Sequence, residues 1–342
     1  MNRDRRPPPR RWAAGRVSRG PYGSGMTIET RVDPETGDWR LVAPARSTRP
    51  DDSAAGGAAP VCPFCPGNEH LTPPERMRVP DGAPDWRIRV VPNKYAVTSP
   101  ADGDHEVVIE SPRHDWDLRD ADPEAATELL LAVRSRCRAL GATRPLVVAF
   151  RNYGKAAGAS LSHPHSQIVA LTGVPPAVDA KWRRARDHRA ATGRRLLADI
   201  AAQERSSGVR VVADTDGLLV FQPHAAAVPH HTVLLPADGC ATLARAADSS
   251  VATVARRLPG VLAALAAVLH DPAYNLVVHV GPSDEVDADR WYQWHISVYP
   301  RVGTIGGLEL ATGLAVNTTA PEQTAPVLRE ALAASVGGSV PD

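Results

Sequence analysis

Cysteine, phenylalanine and net charge are all scarce in this chain. Its 342 residues include four cysteines and three phenylalanines, aromatic residues make up 5%, and the formal charge at pH 7 is +1. Four scattered cysteines do not make a disulfide framework in a chain of this size, so a reducing, cytoplasmic compartment is expected. A charge balance so near zero supplies no net drive toward nucleic acid or an anionic membrane, and recognition of phosphate must then be local. No apolar run approaches the length that spans a bilayer, and residues 1–27, rich in Arg, Pro and Gly, have no apolar stretch after their charges as a secretory signal would. They read as a disordered basic arm, with Met26 as an alternative start. Without interleaved aromatics or a basic patch downstream, neither nucleic acid nor membrane is an expected partner.

The length suffices for one large or two small domains with a real core. Residues 30–44 alternate around Asp33-Pro34 and Thr36-Gly37 and predict a hairpin; Arg46 and Arg49 follow it and by themselves read equally well as a solvated pair. Cys62-Pro63-Phe64-Cys65 is a Cys-x-x-Cys knuckle, half of a tetrahedral zinc site. A redox dithiol competes, but that motif normally opens a helix, and a proline after each cysteine makes a helix poor. A strand running into a turn is predicted over 87–97, strands over 106–110 and 145–150, and a helix over 123–141, where Ala126, Leu129, Leu130, Val133 and Cys137 form one stripe. A single Arg- and Ala-rich helix is expected over 180–206. Strands at 217–223 and 231–236, a helix at 251–269 and strands at 275–279 and 291–300 then repeat the earlier order, with a chemistry-bearing element only in the first copy.

That element is the stretch 158–170. From Pro164 it is extended and ends in Ile168-Val169-Ala170-Leu171, so His163, His165 and Gln167, each two apart, share a face. Proline cannot donate to a ladder, which puts it on an edge or at a strand's first residues. One histidine alone is most often a satisfied surface or core residue; two with a glutamine on one face, after a Gly/Ser loop, point to a site.

The run Asn152-Tyr153-Gly154-Lys155-Ala156-Ala157-Gly158-Ala159-Ser160-Leu161-Ser162-His163-Pro164-His165-Ser166-Gln167 resembles the active-site segment of the galactose-1-phosphate uridylyltransferases, a branch of the histidine-triad superfamily. The resemblance implies an α+β fold of two tandem histidine-triad-like halves sharing an antiparallel-rich sheet with packed helices. Residues 28–178 would hold the active site and zinc knuckle, 179–335 a degenerate half and 336–342 a tail. It also implies that His114 and His163 complete a structural Zn²⁺ site with Cys62 and Cys65, one ion per chain, and that Arg46 and Arg49 help hold substrate phosphates. Asn93 would contact the uridine, and Asn152 with the glycine loop would border the nucleotide. The family is dimeric, which implies a homodimer. Many relatives hold a second metal through His-x-His, an earlier His and an acidic residue; here Gln293 and Lys181 occupy two of those places, leaving His279 and His295, and no second metal is expected.

The chemistry follows from the residue types. Imidazole is nucleophilic near neutral pH, so His165 can attack an α-phosphorus and form a nucleotidyl-histidine, provided its other ring nitrogen donates to a carbonyl. Ser160, Gln167 and the amides around Gly158 and Ala159 would stabilise the phosphoryl oxygens. Glutamine cannot give up a proton, so the leaving group must be good by itself, as a sugar 1-phosphate or phosphate is. This points to double-displacement transfer, and the family resemblance implies, as first expectation, UDP-glucose:galactose-1-phosphate uridylyltransferase, acting on nucleotide-sugar and sugar-1-phosphate substrates. The segment 307–322 lacks the lysine and aromatics that many galactose-specific members use, and with Leu161 and Ser162 it resembles ADP-glucose phosphorylases and shorter uridylyltransferase relatives. An ADP-glucose phosphorylase-like or other sugar-1-phosphate nucleotidyltransferase, and a non-catalytic or hydrolytic nucleotide-binding protein, are the alternatives.

Overall fold

A computed structural model describes residues 29–32, 39–43, 61–215 and 217–337. Strands β1 (Glu29–Val32) and β2 (Trp39–Val42) pair antiparallel as the expected hairpin and form a sheet of their own. Arg46 and Arg49, and the arm before residue 29, lie outside the described residues.

The other strands are β3 (Met77–Val79), β4 (Ile88–Pro92), β5 (Gly103–Ile109), β6 (Leu146–Tyr153), β7 (His165–Leu171), β8 (Val211–Thr215), β9 (Leu218–Phe221), β10 (Thr232–Pro236), β11 (Tyr274–His279) and β12 (His295–Pro300). They make one ten-stranded antiparallel sheet in the order β3-β4-β5-β7-β6-β11-β12-β10-β9-β8. Read outward from the β6–β11 seam, each half repeats the same order, so β6, β7, β5, β4 and β3 correspond to β11, β12, β10, β9 and β8. Pro164 precedes an interior strand, β7, flanked by β5 and β6. It therefore marks the start of a strand and not an edge.

Six helices accompany the sheet among the described residues: α1 (Pro123–Gly141), α2 (Pro176–Thr192), α3 (Leu196–Ser207), α4 (Asp248–Leu269), α5 (Gly307–Thr312) and α6 (Pro321–Gly337). Helix α1 starts where Asp122 accepts from the Ala125 amide and Pro123 fills the first turn. Its stripe, with Val254, Leu258 and Val261 of α4, covers Val108, Ile168, Leu234, Ile296 and Val298 of the sheet in one large core. Each such side chain contributes roughly 1.5–3 kcal/mol by leaving water. Contrary to the sequence reading, α4 is long and apolar enough to pass for a membrane span, with mean hydropathy 1.5; half of that window is buried against the sheet, α1 and α6. The single helix expected over 180–206 is two, α2 and α3, because Gly193 takes a left-handed conformation (φ 71°) that closes the first.

The opposite face of the sheet is treated differently in the two halves. Over the second half, Leu197, Ile200 and Ala201 of α3 pack on Leu219, Phe221, Val233 and Leu235. Over the first, Phe64 and Trp86 from the knuckle region pack on Val91, Val107 and Ile109. Beside them a cavity remains open.

Candidate active site and metal centre

The residues just before and at the start of β7 organise the site. His163 is fully buried, and its Nε2–H donates to the Ser111 carbonyl at 2.9 Å. That turns Nδ1 toward the knuckle, 3.6 Å from the Sγ atoms of both Cys62 and Cys65. His114 places Nδ1 3.3 Å from Cys65 Sγ and holds Ser162 Oγ with Nε2 at 2.9 Å. The four ligand atoms lie within 4.8 Å of one another, the one group of histidine, cysteine and acidic donors among the described residues close enough to share an ion. Around a tetrahedral ion with S at about 2.3 Å and N at about 2.0 Å, ligand atoms stand roughly 3.3–3.8 Å apart, and the three Sγ–Nδ1 separations of 3.3–3.6 Å fall in that range. Each imidazole also has its second nitrogen engaged, as metal-bound histidines do. Burial, with smaller effects from His114 and His165, lowers the His163 pKa to about 4, which keeps its lone pair available at neutral pH. Burial raises the Cys62 thiol to about 11, and a metal ion reverses this by binding the thiolate.

Two residues on, His165 Nδ1 lies 2.9 Å from the His163 carbonyl. A carbonyl only accepts, so Nδ1 carries the hydrogen and Nε2 the lone pair. His165 and Gln167 line a cavity of about 250 Å³ with Phe64, Val91, Asn93, Val107, Gly158 and Ser160. A second cavity of about 570 Å³ also reaches His165, past Arg151, Asn152, Lys155 and Ala159. The expected residues thus divide. Ser160, Gly158, Asn93 and Gln167 meet at the first cavity, Asn152 and Ala159 border the second, and His163 stands with Cys62, Cys65 and His114 in the candidate metal group while also lining the second cavity beside His165.

Several participants were not anticipated. Buried His105 lies between Gln167 and Asn93. Asn275 of β11 donates to both Asn152 Oδ1 and the Ala157 carbonyl at 2.9 Å, tying the glycine loop across the seam. Gly154 opens that loop at φ +79°, where a Cβ would stand 2.8 Å from Ala273 Cβ. Behind β7, Ser166 Oγ donates to Glu110 at 2.5 Å, and Arg151 donates to Glu110 at 3.0 Å and to the Tyr274 hydroxyl. Burial, the largest single influence, opposes the Arg151 charge, but Glu110, Tyr274 and Asp117 together hold the guanidinium above its usual pKa. Strand parity could have put His105 on the Gln167 face, but no signal in the sequence discloses the register that joins them.

In the second half His295 Nδ1 lies 3.1 Å from the Gln293 carbonyl, its ring stacks on His279 at 4.8 Å, and the Gln293 amide donates to the Pro236 carbonyl.

A ten-stranded sheet of two matching halves, with His-Pro-His-x-Gln running into an interior strand of one and a Cys₂His₂ group bracing it, defines a histidine-triad-like nucleotidyltransferase. The family model described as galactose-1-phosphate uridyl transferase, N-terminal domain, matches residues 87–175. The ADP-glucose phosphorylase of Arabidopsis thaliana is 32% identical over 340 residues, covering 90% of this chain and 95% of its own. Its crystal structure with bound ADP-glucose superposes with a TM-score of 0.72 at 31% identity, over 89% of this chain and 99% of that one. A solved uridylyltransferase gives 0.75 at 30% identity over 90% of this chain and 99% of that one. The galactose-1-phosphate uridylyltransferase of Haemophilus influenzae is 27% identical over 79% of this chain and 83% of its own. The chain belongs to the galactose-1-phosphate uridylyltransferase family.

Proposed function

We propose that the protein moves a nucleoside monophosphate from a nucleotide sugar to a phosphate acceptor by double displacement at His165. The observation that carries this reading is the Nδ1–H bond from His165 to the His163 carbonyl at the mouth of the cavity lined by Gln167. In the first step Nε2 attacks the α-phosphorus, the bond to the bridging oxygen breaks, and the sugar 1-phosphate leaves with the bonding pair. The ring then carries a positive charge, since Nδ1 keeps its hydrogen, and the carbonyl already aimed at that hydrogen stabilises it. In the second step a phosphate oxygen attacks the same phosphorus and frees Nε2. No proton need reach the leaving group, which suits a glutamine at position 167. Ser160 and the amides of the loop at Gly158 and Ala159 are assigned to the phosphoryl oxygens, and the apolar wall of Phe64, Val91 and Val107, with Asn93, to the base.

For the particular substrate we put transfer of adenylate from ADP-glucose to inorganic phosphate first. The near-full-length similarity to the plant phosphorylase supports this, as does a segment 307–322 without lysine or aromatic residues. Uridylyl transfer from UDP-glucose to galactose 1-phosphate, the first expectation from sequence, is the second reading; the family-model match and the 30%-identical uridylyltransferase favour it. Incubation with ³²P-labelled ADP-glucose or UDP-glucose and a quench in base tests both. Acid-labile adenylate on the protein supports the first reading and uridylate the second; absence of label from either would sink His165 chemistry.

Zn²⁺ is the ion we assign to Cys62, Cys65, His114 and His163, because two thiolates and two imidazoles suit a borderline tetrahedral cation. It would lock the knuckle onto the residue whose carbonyl orients His165. A homodimer belongs to the same reading, supported by the exposed Leu308, Leu310, Leu314 and Val316 along and after α5, as does a cytoplasmic location. Sedimentation at micromolar concentration tests the dimer.

A further inference from the structure

The symmetry of the sheet assigns every strand position in one half a counterpart in the other. On β5 Val107 faces Gln167 of β7, and on β10 Val233 faces Ser297 of β12. Two residues before each valine stands a buried histidine, His105 in one half and His231 in the other. Their surroundings differ. His231 stacks on Tyr299 at 4.3 Å, and neither of its ring nitrogens has a hydrogen-bond partner. His105 receives the Val97 amide at Nδ1 (3.1 Å), so Nδ1 is the acceptor and Nε2 carries the hydrogen. At Nε2 stand Gln167 Oε1, 3.0 Å away, and Asn93 Nδ2, 3.1 Å away. Only the first can accept, because Asn93 already commits its Oδ1 to the Tyr95 amide at 2.8 Å. Gln167 is therefore pinned by its oxygen.

We propose that His105 is a positioning residue for nucleotidyl transfer, holding Gln167 in the amide orientation that turns NH₂, not the carbonyl oxygen, toward the phosphoryl group. The inference rests on the reading of His165 as nucleophile. Its physical content is a sign. A glutamine flipped by half a turn would aim a partial negative charge at an anionic transition state, whereas the pinned one aims donors. Gln167 is buried at 8% exposure, so its orientation is set mainly by its protein partners. The second half agrees in detail. Where position 167 is replaced by Ser297 and position 93 by Pro223, the histidine on β10 has nothing left to orient and survives as packing.

The test uses the full chain and the rate at which base-stable label forms from the sugar nucleotide that labels the wild type. His105→Leu should slow labelling on the order of 10- to 100-fold with zinc per chain unchanged. His105→Gln, which returns a donor toward the same oxygen, should recover most of the rate. Gln167→Ala should be about as slow as His105→Leu/Gln167→Ala, within roughly twofold, because the histidine acts only through the glutamine. Losses that multiply in the double variant would overturn the proposal, and so would ¹⁵N shifts showing His105 protonated at Nδ1, a readout independent of turnover. Absence of label on the wild type would defeat the transfer reading and His105's role with it; label on the wild type with multiplying losses defeats His105 alone.

Discussion

Across the β6–β11 seam the two halves share a backbone and divide in their side chains. His165 and His295 occupy matching places at the starts of β7 and β12, and each has Nδ1 against the carbonyl two residues before it, at 2.9 and 3.1 Å. Setting the tautomer is thus a property of the strand and does not by itself make a site. What surrounds the ring differs. Buried Arg151 and Glu110 and half-buried Ser166 of the first half correspond to Val278, Pro236 and Ile296 in the second. His163, the metal-group ligand, corresponds to Gln293, whose amide goes to a backbone carbonyl. The face in front of His165 is an open cavity, while α3 packs on the same face of the other half. A buried, paired charge is thus kept behind β7, where losing either partner would be costly, and Val278, Ile296 and Pro236 fill the matching places with apolar packing.

The sharpest way to break this contrast is to remove each imidazole in turn. His165→Gly should reduce covalent nucleotidylation to background, while His295→Gln should leave the labelling rate at the wild-type level; a comparable loss in both would mean the halves are not divided as described. Next in size, Cys65→Ser should take bound zinc from about one ion per chain to near none and slow labelling by roughly 10- to 100-fold, measured by metal analysis beside the rate. Retention of a full complement of zinc would show that the ion, if bound, sits elsewhere.

A smaller effect is expected on stability. Arg151→Met strands Glu110 in the interior and should lower the unfolding free energy by about 3–5 kcal/mol in a urea titration, whereas Val278→Leu, a volume change at the matching place, should lower it by about 1–3 kcal/mol. The smallest concerns His231, whose pKa burial, aided by His295 and Lys181, lowers from 6.5 to about 4. The unfolded chain takes up this proton first as pH falls, so stability is full above pH 6.5 and declines toward pH 4. His231→Phe removes that loss and should flatten the decline by up to about 1.4 kcal/mol per pH unit. At neutral pH the replacement should be near neutral or slightly stabilising, since it retires two buried unpartnered nitrogens. An unchanged slope would show that His231 is solvated.

Helix α1 was legible to its ends because its cap, its proline and its stripe are all local. The break at Gly193 was not read: the arginine-rich sequence on either side suits a helix and masked a glycine able to close the first helix in the left-handed conformation. The short edge strands β3 and β8 and the terminal helix α6 also went unread, since brief or weakly alternating stretches acquire their structure from neighbours. Within the site, Cys62 and Cys65 announced themselves by spacing, but His114 and His163 joined them only through family resemblance. The separations of 49 and 101 residues that the metal group bridges are invisible to any local pattern.

The amino-acid order alone determined the strand running from His165, the Cys-x-x-Cys knuckle, the doubled succession of elements, and a glutamine that cannot act as an acid, because each depends on residues within a few positions of one another. Tertiary structure decided which nitrogen of each histidine faces which partner, that His105 meets Gln167, and that one half stays open while the other is covered. Those outcomes depend on strand register and on the packing of distant segments, and both are settled only when the whole sheet forms.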